Sequence, residues 1–171
     1  FVHTSGATGM EVLGKHLRKG VLYPLQTFSR DQQINFREVP LILETEKTGD
    51  MTLLRELANA LSDSVYELDS AQRRQLHLAA VFVNNFTNHM VYLGEAVCQQ
   101  HGIPGSLLQP LIRETWLKLE ALSAFEAQTG PARRGDNKTL QEHLGLLDDP
   151  LKKELYRLLT ESITKTYEKE L

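Results

Sequence analysis

Apolar and polar positions change their rhythm once along this chain. Up to about residue 68 the apolar residues come in short runs broken by Gly, Pro and polar clusters. Beyond that point they recur at three- and four-residue spacing for most of the remaining length. "FVHTS" reads as the end of a strand, broken at Gly6, and "GMEVLGKHLRKG" has helical spacing stopped by Gly20. "VLYPLQTF" is β-rich, but Pro24 restricts it to an edge or irregular strand. "VPLILETE" suits a buried strand. "DMTLLRELANALSD" is a helix with Asp50 as its N-cap, and "SVYELD" is a last short strand. This alternation predicts an α/β layer.

The second rhythm begins at Asp69. From Ser70 to Gly102 the chain runs without proline, with Gly94 as its one internal weak point, and it is apolar around much of its circumference between Leu76 and Leu93. A helix apolar on that many sides is expected to be buried on that many sides. "SLLQPLIRETWLKLEALSAFEAQ", "KTLQEHLGLL" and "PLKKELYRLLTESITKTYEKEL" follow as helices, with Pro110 near the start of the first and Pro150 in the first turn of the last. The expected organisation is mixed α/β, with strands of a sheet in residues 1–68 and an all-helical domain in 69–171.

Composition narrows the function classes. A formal charge of -3 supplies no basic field for nucleic acid, and no apolar run is long enough to span a bilayer. The single cysteine, Cys98, excludes an internal disulfide, fits a cytoplasmic protein, and reads as buried apolar filler. Residue 1 is Phe within what reads as a strand, so the expectation is a portion of a longer protein.

Four segments could carry chemistry. "HTSGATG" places His3, Thr4, Ser5 and Gly6 at a strand end, where ligands bind in open α/β sheets. Capping of a following helix by Ser5 or Thr4 is the alternative. "LYPLQTF" sets Gln26 and Thr27 after an apolar strand, and a buried amide there would need a backbone or ligand partner. On the long helix, straight α-geometry puts His77, Asn84 and Asn88 on one stripe, with Asn85 and His89 beside it. Such groups in a core point to a polar cavity or to bonds with neighbouring loops, and the twelve residues between the histidines disfavour a metal site. "TGPARRGD" holds Arg133, Arg134 and Asp136. Asp136 suits an N-cap, and the arginines are either a solvated turn or an anion-binding fork.

"HTSGATGMEVL", "YPLQTF", "LHLAAVFVNNF" and "TGPARRGD", in this order and spacing, resemble the Rossmann-like proteins with a helical C-terminal domain of unknown function that are regarded as NADP oxidoreductases. The resemblance covers essentially the whole chain. It implies the last part of a nucleotide-binding sheet followed by a helical domain like that of 6-phosphogluconate dehydrogenase, a helical-domain homodimer, and an active site between the domains. It also implies NADP as cofactor of the full-length protein, near His3, Thr4, Ser5 and Gly6 and near Pro24, Gln26 and Thr27. His77 and Asn85 take the catalytic positions. Thr129, Gly130, Pro131, Arg134, Gly135 and Asp136 take the substrate loop, which would suit a small anionic group, with Arg133 left in solvent. Arg134 and the Thr129-Gly130 turn are expected to close over the cavity entered by His77 and Asn85.

Departures from the family pattern shape the chemistry expected. No lysine lies between Lys47 and Lys118, so the catalytic lysine of the hydroxyacid dehydrogenases has no counterpart, and His77 is the proton carrier nearest the asparagines. Tyr23 stands where the family has His before Pro-Leu-Gln. G-x-G-x-x-G is absent, so this chain alone is expected to bind NADP weakly or not at all. A non-catalytic ligand-binding or regulatory module on the same scaffold is the alternative function.

Overall fold

The computed structural model describes residues 1–15, 18–31 and 33–168, and these form two compact units, Phe1–His101 and Gly102–Leu171. In the first, strands β1 (Val2–His3), β2 (Gly20–Pro24), β3 (Leu41–Thr45) and β4 (Val65–Glu67) form one mixed sheet in that order. β1 runs parallel to β2, β2 antiparallel to β3, and β3 parallel to β4. The apolar runs are continuous because both faces of the sheet are covered. Leu22, Leu41 and Leu43 pack with Leu54 and Ala58 of helix α1 (Thr48–Leu61). On the other face Val21, Tyr23 and Ile42 meet Met10, Leu25, Leu68 and Leu76.

The expected mixed α/β character is therefore observed, with four local corrections. Among the described residues the helix expected up to Gly20 is a 3-10 turn, Met10–Leu13, because Gly14 takes the left-handed conformation (φ 64°) and Gly20 already opens β2; the part of that expectation on residues 16–17 lies outside the described residues. β2 is an interior strand, not an edge. Pro24 is tolerated as its last residue: the N–H of Leu25 donates to Pro40, so the missing donor of Pro24 faces the other side, past the end of two-residue β1. α1 starts two residues before Asp50, after Lys47, and Asp50 sits in its first turn paired with Arg18 at 2.6 Å instead of capping it. Cys98 is half-buried and does not belong to the core.

The long helix is real but not uniform. Helix α2 (Ser70–Ala80) continues through a π-helical segment, Val81–Phe86, into helix α3 (Thr87–Gln100), while Gly94 leaves α3 unbroken. The Thr87 hydroxyl donates to the Phe82 carbonyl at 3.3 Å inside the widened turn. Burial on many sides is not observed within this chain. Leu78, Phe82, Val83, Phe86 and Tyr92 are all exposed, because the sheet covers only the side that carries Leu76.

In the second unit, helices α4 (Gln109–Ala121), α5 (Ala124–Ala127), α6 (Asn137–Leu146) and α7 (Pro150–Tyr167) follow a 3-10 turn, Gly105–Leu108. Their starts are set by side chains: Ser123 forms a capping box with Glu126, Asp136 accepts from Thr139, and Asp149 accepts from Leu151 and Lys152 ahead of Pro150. No helix among the described residues is long and apolar enough to cross a membrane.

Candidate functional site

The turn that follows β1 is held by a buried arginine. Arg73, in the first turns of α2, is fully buried and its Nη1 donates to the carbonyls of Ser5 (2.8 Å), Gly6 (3.1 Å) and Thr8 (2.7 Å). Its Nη2 pairs with Glu44 Oε2 at 2.9 Å and reaches Ser70 Oγ at 3.1 Å. Ser70 in turn donates to Glu44 from its N–H (3.0 Å) and its hydroxyl (2.7 Å), so strand β3 and helix α2 share the same carboxylate. A buried charge is tolerated when it is paired and hydrogen-bonded, and both Nη groups of Arg73 are placed in that way, while its Nε has no partner among the described residues.

This clamp orients the turn. A planar trans peptide sets N–H opposite C=O, so carbonyls drawn to Arg73 turn the N–H groups of Gly6, Ala7 and Gly9 away from it. Those three N–H groups make no hydrogen bond among the described residues. Ser5 does not cap a helix. Its hydroxyl accepts from the Thr8 N–H at 3.1 Å and meets the Thr8 hydroxyl at 2.7 Å, closing the turn on itself. His3 Nδ1 accepts from the Ser5 N–H at 3.2 Å, which leaves the ring proton on Nε2, a buried atom with no partner among the described residues.

Across from the turn, Tyr23 of β2 and His77 of α2 meet at 3.2 Å between the phenol oxygen and Nδ1, their rings 6.1 Å apart and edge-on. Burial pushes the Tyr23 phenol above the ordinary tyrosine range, and the nearby Arg73 charge opposes it. Gly6 lies directly against this pair. A Cβ there would sit 2.6 Å from Tyr23 Cζ and 2.7 Å from His77 Nδ1, so only glycine fits without displacement. His3, Ser5, Gly6 and His77 are thus brought together around one turn.

Other expected residues are placed differently. Thr4 is exposed, and so are Gln26 and Thr27 beyond the end of β2, where the Gln26 side chain accepts from the Thr27 N–H at 2.9 Å. No buried amide exists there. Asn84, Asn85, Asn88 and His89 are exposed rather than buried in a core. The π-helical segment advances less per residue than an α-helix, so the stripe linking His77 to Asn84 and Asn88 on straight α-geometry is not kept.

The residues that organise the site, Arg73, Glu44 and Ser70, were not among the sequence candidates. A signal was present: Arg73 stands three and four residues before Leu76 and His77, on the inward phase of α2, and Glu44 directly follows the short apolar run ending at Leu43.

In the second unit, the loop from Thr129 to Asp136 is a compact turn. Gly130 (φ 108°) and Gly135 (φ 65°) take left-handed conformations, and the N–H of Asp136 donates to Pro131 at 2.9 Å. Asp136 caps α6 as expected, and its hydrogen bonds from Thr139 hold its carboxyl below the usual range. Arg133 is not solvated. Its guanidinium lies 4.1 Å from the Tyr167 ring centre and 5.9 Å from that of Phe125, whereas Arg134 is exposed.

A small mixed sheet followed by a helical unit defines the class of protein. The chain belongs to the family described as Domain of unknown function (DUF2520), which matches residues 39–163. Among solved structures it is similar to the putative NADP oxidoreductase from Bacteroides fragilis, at 44% identity and a TM-score of 0.90, over 96% of this chain and 64% of that one. It also shares the fold of protein TM1727 from Thermotoga maritima, at 23% identity and a TM-score of 0.79, over 99% of this chain and 69% of that one. The chain therefore spans less than two thirds of the length of the Bacteroides protein. No curated protein matches it.

Proposed function

We propose that this chain is the C-terminal portion of a cytoplasmic NADP-dependent oxidoreductase that reduces a carbonyl or imine group of a small anionic substrate. Residues 1–68 would complete a Rossmann-like nucleotide-binding domain. Residues 69–171 would form a helical domain of the 6-phosphogluconate dehydrogenase C-terminal type. The Bacteroides protein, 44% identical, supports the cofactor class. The observation that carries the reading is the meeting of Gly6, Tyr23 and His77 beside the unpartnered N–H groups of the β1 turn.

The residues present fit the nicotinamide end of such a cofactor. A backbone cradle at Gly6 that a Cβ would fill, the unpartnered Nε2 of His3, and the exposed Thr4, Gln26 and Thr27 supply close approach and hydrogen-bonding groups. Bound NADP supplies the hydride. His77 would hold or release a proton at the substrate oxygen or nitrogen and Asn85 would hydrogen-bond the substrate, while Arg134, in the loop from Thr129 to Asp136 of the second unit, would suit an anionic group. A homodimer would form through the exposed apolar face of Leu78, Phe82, Val83 and Phe86, too large a row of side chains to leave in water.

One observation favours a second reading, a non-catalytic ligand-binding module: the side chains of Asn84, Asn85 and Asn88 make no hydrogen bonds among the described residues, so nothing there holds a catalytic amide in place. Calorimetric titration of NADPH into the full-length protein, followed by a screen of 2-oxo acids and cyclic imines for NADPH consumption, separates the two. Binding with turnover supports the oxidoreductase; binding without turnover, or absence of binding, removes it and leaves the module.

A further inference from the structure

Two details at the Tyr23–His77 contact are not explained by packing alone. Tyr23 is almost fully buried on the sheet face with Val21 and Ile42, and His77 is the only partner of its hydroxyl among the described residues. A phenol O–H and a neutral imidazole Nδ1 can bond in either direction. If Nδ1–H donated to the phenol oxygen, the Tyr23 O–H would be left in a buried site with no acceptor, at a cost of about 1–3 kcal/mol. If the phenol donates, both groups are satisfied. The raised position of the Tyr23 phenol keeps its proton in place for that role.

We propose that Tyr23 is a positioning residue: by donating its O–H to His77 Nδ1 it fixes the imidazole in the tautomer with the proton on Nε2, and it aims that atom at a ligand's acceptor. Nε2 of His77 makes no hydrogen bond among the described residues, on a ring that is only half-buried. Gly6 completes the device. With no Cβ it lets the turn press on both rings, so the imidazole has little room to swing. The ligand group this arrangement takes is an oxygen or nitrogen acceptor, such as a carbonyl or imine, met by the Nε2–H. The role rests on the oxidoreductase reading for its chemistry, but the tautomer does not depend on it.

The test is long-range proton–nitrogen NMR of the full chain labelled at histidine, compared between wild type and Tyr23→Phe. The wild type should show neutral His77 protonated at Nε2 with an acceptor-type Nδ1. Tyr23→Phe should lose that single-tautomer signature while its backbone amide spectrum keeps the fold. A wild-type His77 protonated at Nδ1, or an unchanged ring in Tyr23→Phe, would overturn the proposal. Should Tyr23→Phe fail to fold, the wild-type spectrum decides alone. Titrating NADPH into the full-length protein reports separately on the oxidoreductase reading: absence of binding there would end that reading and leave the assignment of Tyr23 standing.

Discussion

Arg73 and Glu44 form an ion pair at 2.9 Å in which the arginine side chain has no exposure and the carboxylate keeps 13%. The same guanidinium holds three carbonyls of the β1 turn, so one side chain ties β1, β3 and α2 together. Arg73→Met should destabilise the chain by roughly 3–5 kcal/mol, because it leaves a carboxylate and three carbonyls without their partner. Arg74→Met, one residue on and exposed, should change stability by no more than about 0.5 kcal/mol. Equilibrium denaturant unfolding of both variants checks the contrast.

Asp136 gives a pH-dependent contribution of known sign. Its hydrogen bonds from the Thr139 hydroxyl and N–H lower its folded-state pKa below the unfolded value. The contribution is therefore complete above the ordinary aspartate range and is lost as the pH falls through the depressed value. Asp136→Ala should melt earlier than wild type at neutral pH, and the gap should close in acid. Melting curves at several pH values read this directly, and a gap that widens in acid would contradict it.

The two adjacent arginines of the second unit should separate by effect. Arg133 lies over Tyr167 and Phe125, so Arg133→Ala should cost about 0.5–2 kcal/mol of stability. Arg134 is exposed, so Arg134→Ala should leave the melting temperature unchanged and weaken binding of an anionic substrate by the full-length protein. Thermal melts and calorimetry on both variants divide the roles. A destabilised Arg134→Ala would show that the exposed arginine is structural.

The exposed row of Leu78, Phe82, Val83 and Phe86 should be covered by a second copy of the chain. Sedimentation at micromolar concentration should give a dimer, and Phe82→Glu should shift it to a monomer. A folded wild-type monomer at that concentration would rule the interface out.

How much of this was legible in the sequence follows from what sets each feature. β3, α1, β4, the cap at Asp136, the first-turn position of Pro150 and the change of rhythm near residue 69 are local patterns, and they could be read. The interior position of β2 could not, because Pro24 is harmless only if its neighbour ends early, which is a fact about β1. The π-helical segment also escaped: "VFVNNF" carries no proline or glycine to mark it, and it moved the asparagines off their expected stripe. At the site, His3, Ser5 and Gly6 were found from their place at a strand end, and His77 from its polarity on an apolar helix. Arg73 was passed over because an arginine early in a helix usually lies in water. Only its three carbonyl partners, all more than sixty residues away, reveal its role.

On the reading proposed above, the turn after β1, with Tyr23 and His77, forms the nicotinamide end of an NADP site. The most direct test is chemical-shift mapping during titration of NADPH into the full-length protein, since it registers weak binding as well as tight. Among the residues of this chain the expected shifts fall at His3, Thr4, Gly6, Ala7, Tyr23, Gln26, Thr27 and His77, with resonances of the second unit such as Leu140 unmoved. Shifts scattered over the surface, or none at the β1 turn at millimolar NADPH, would contradict the account.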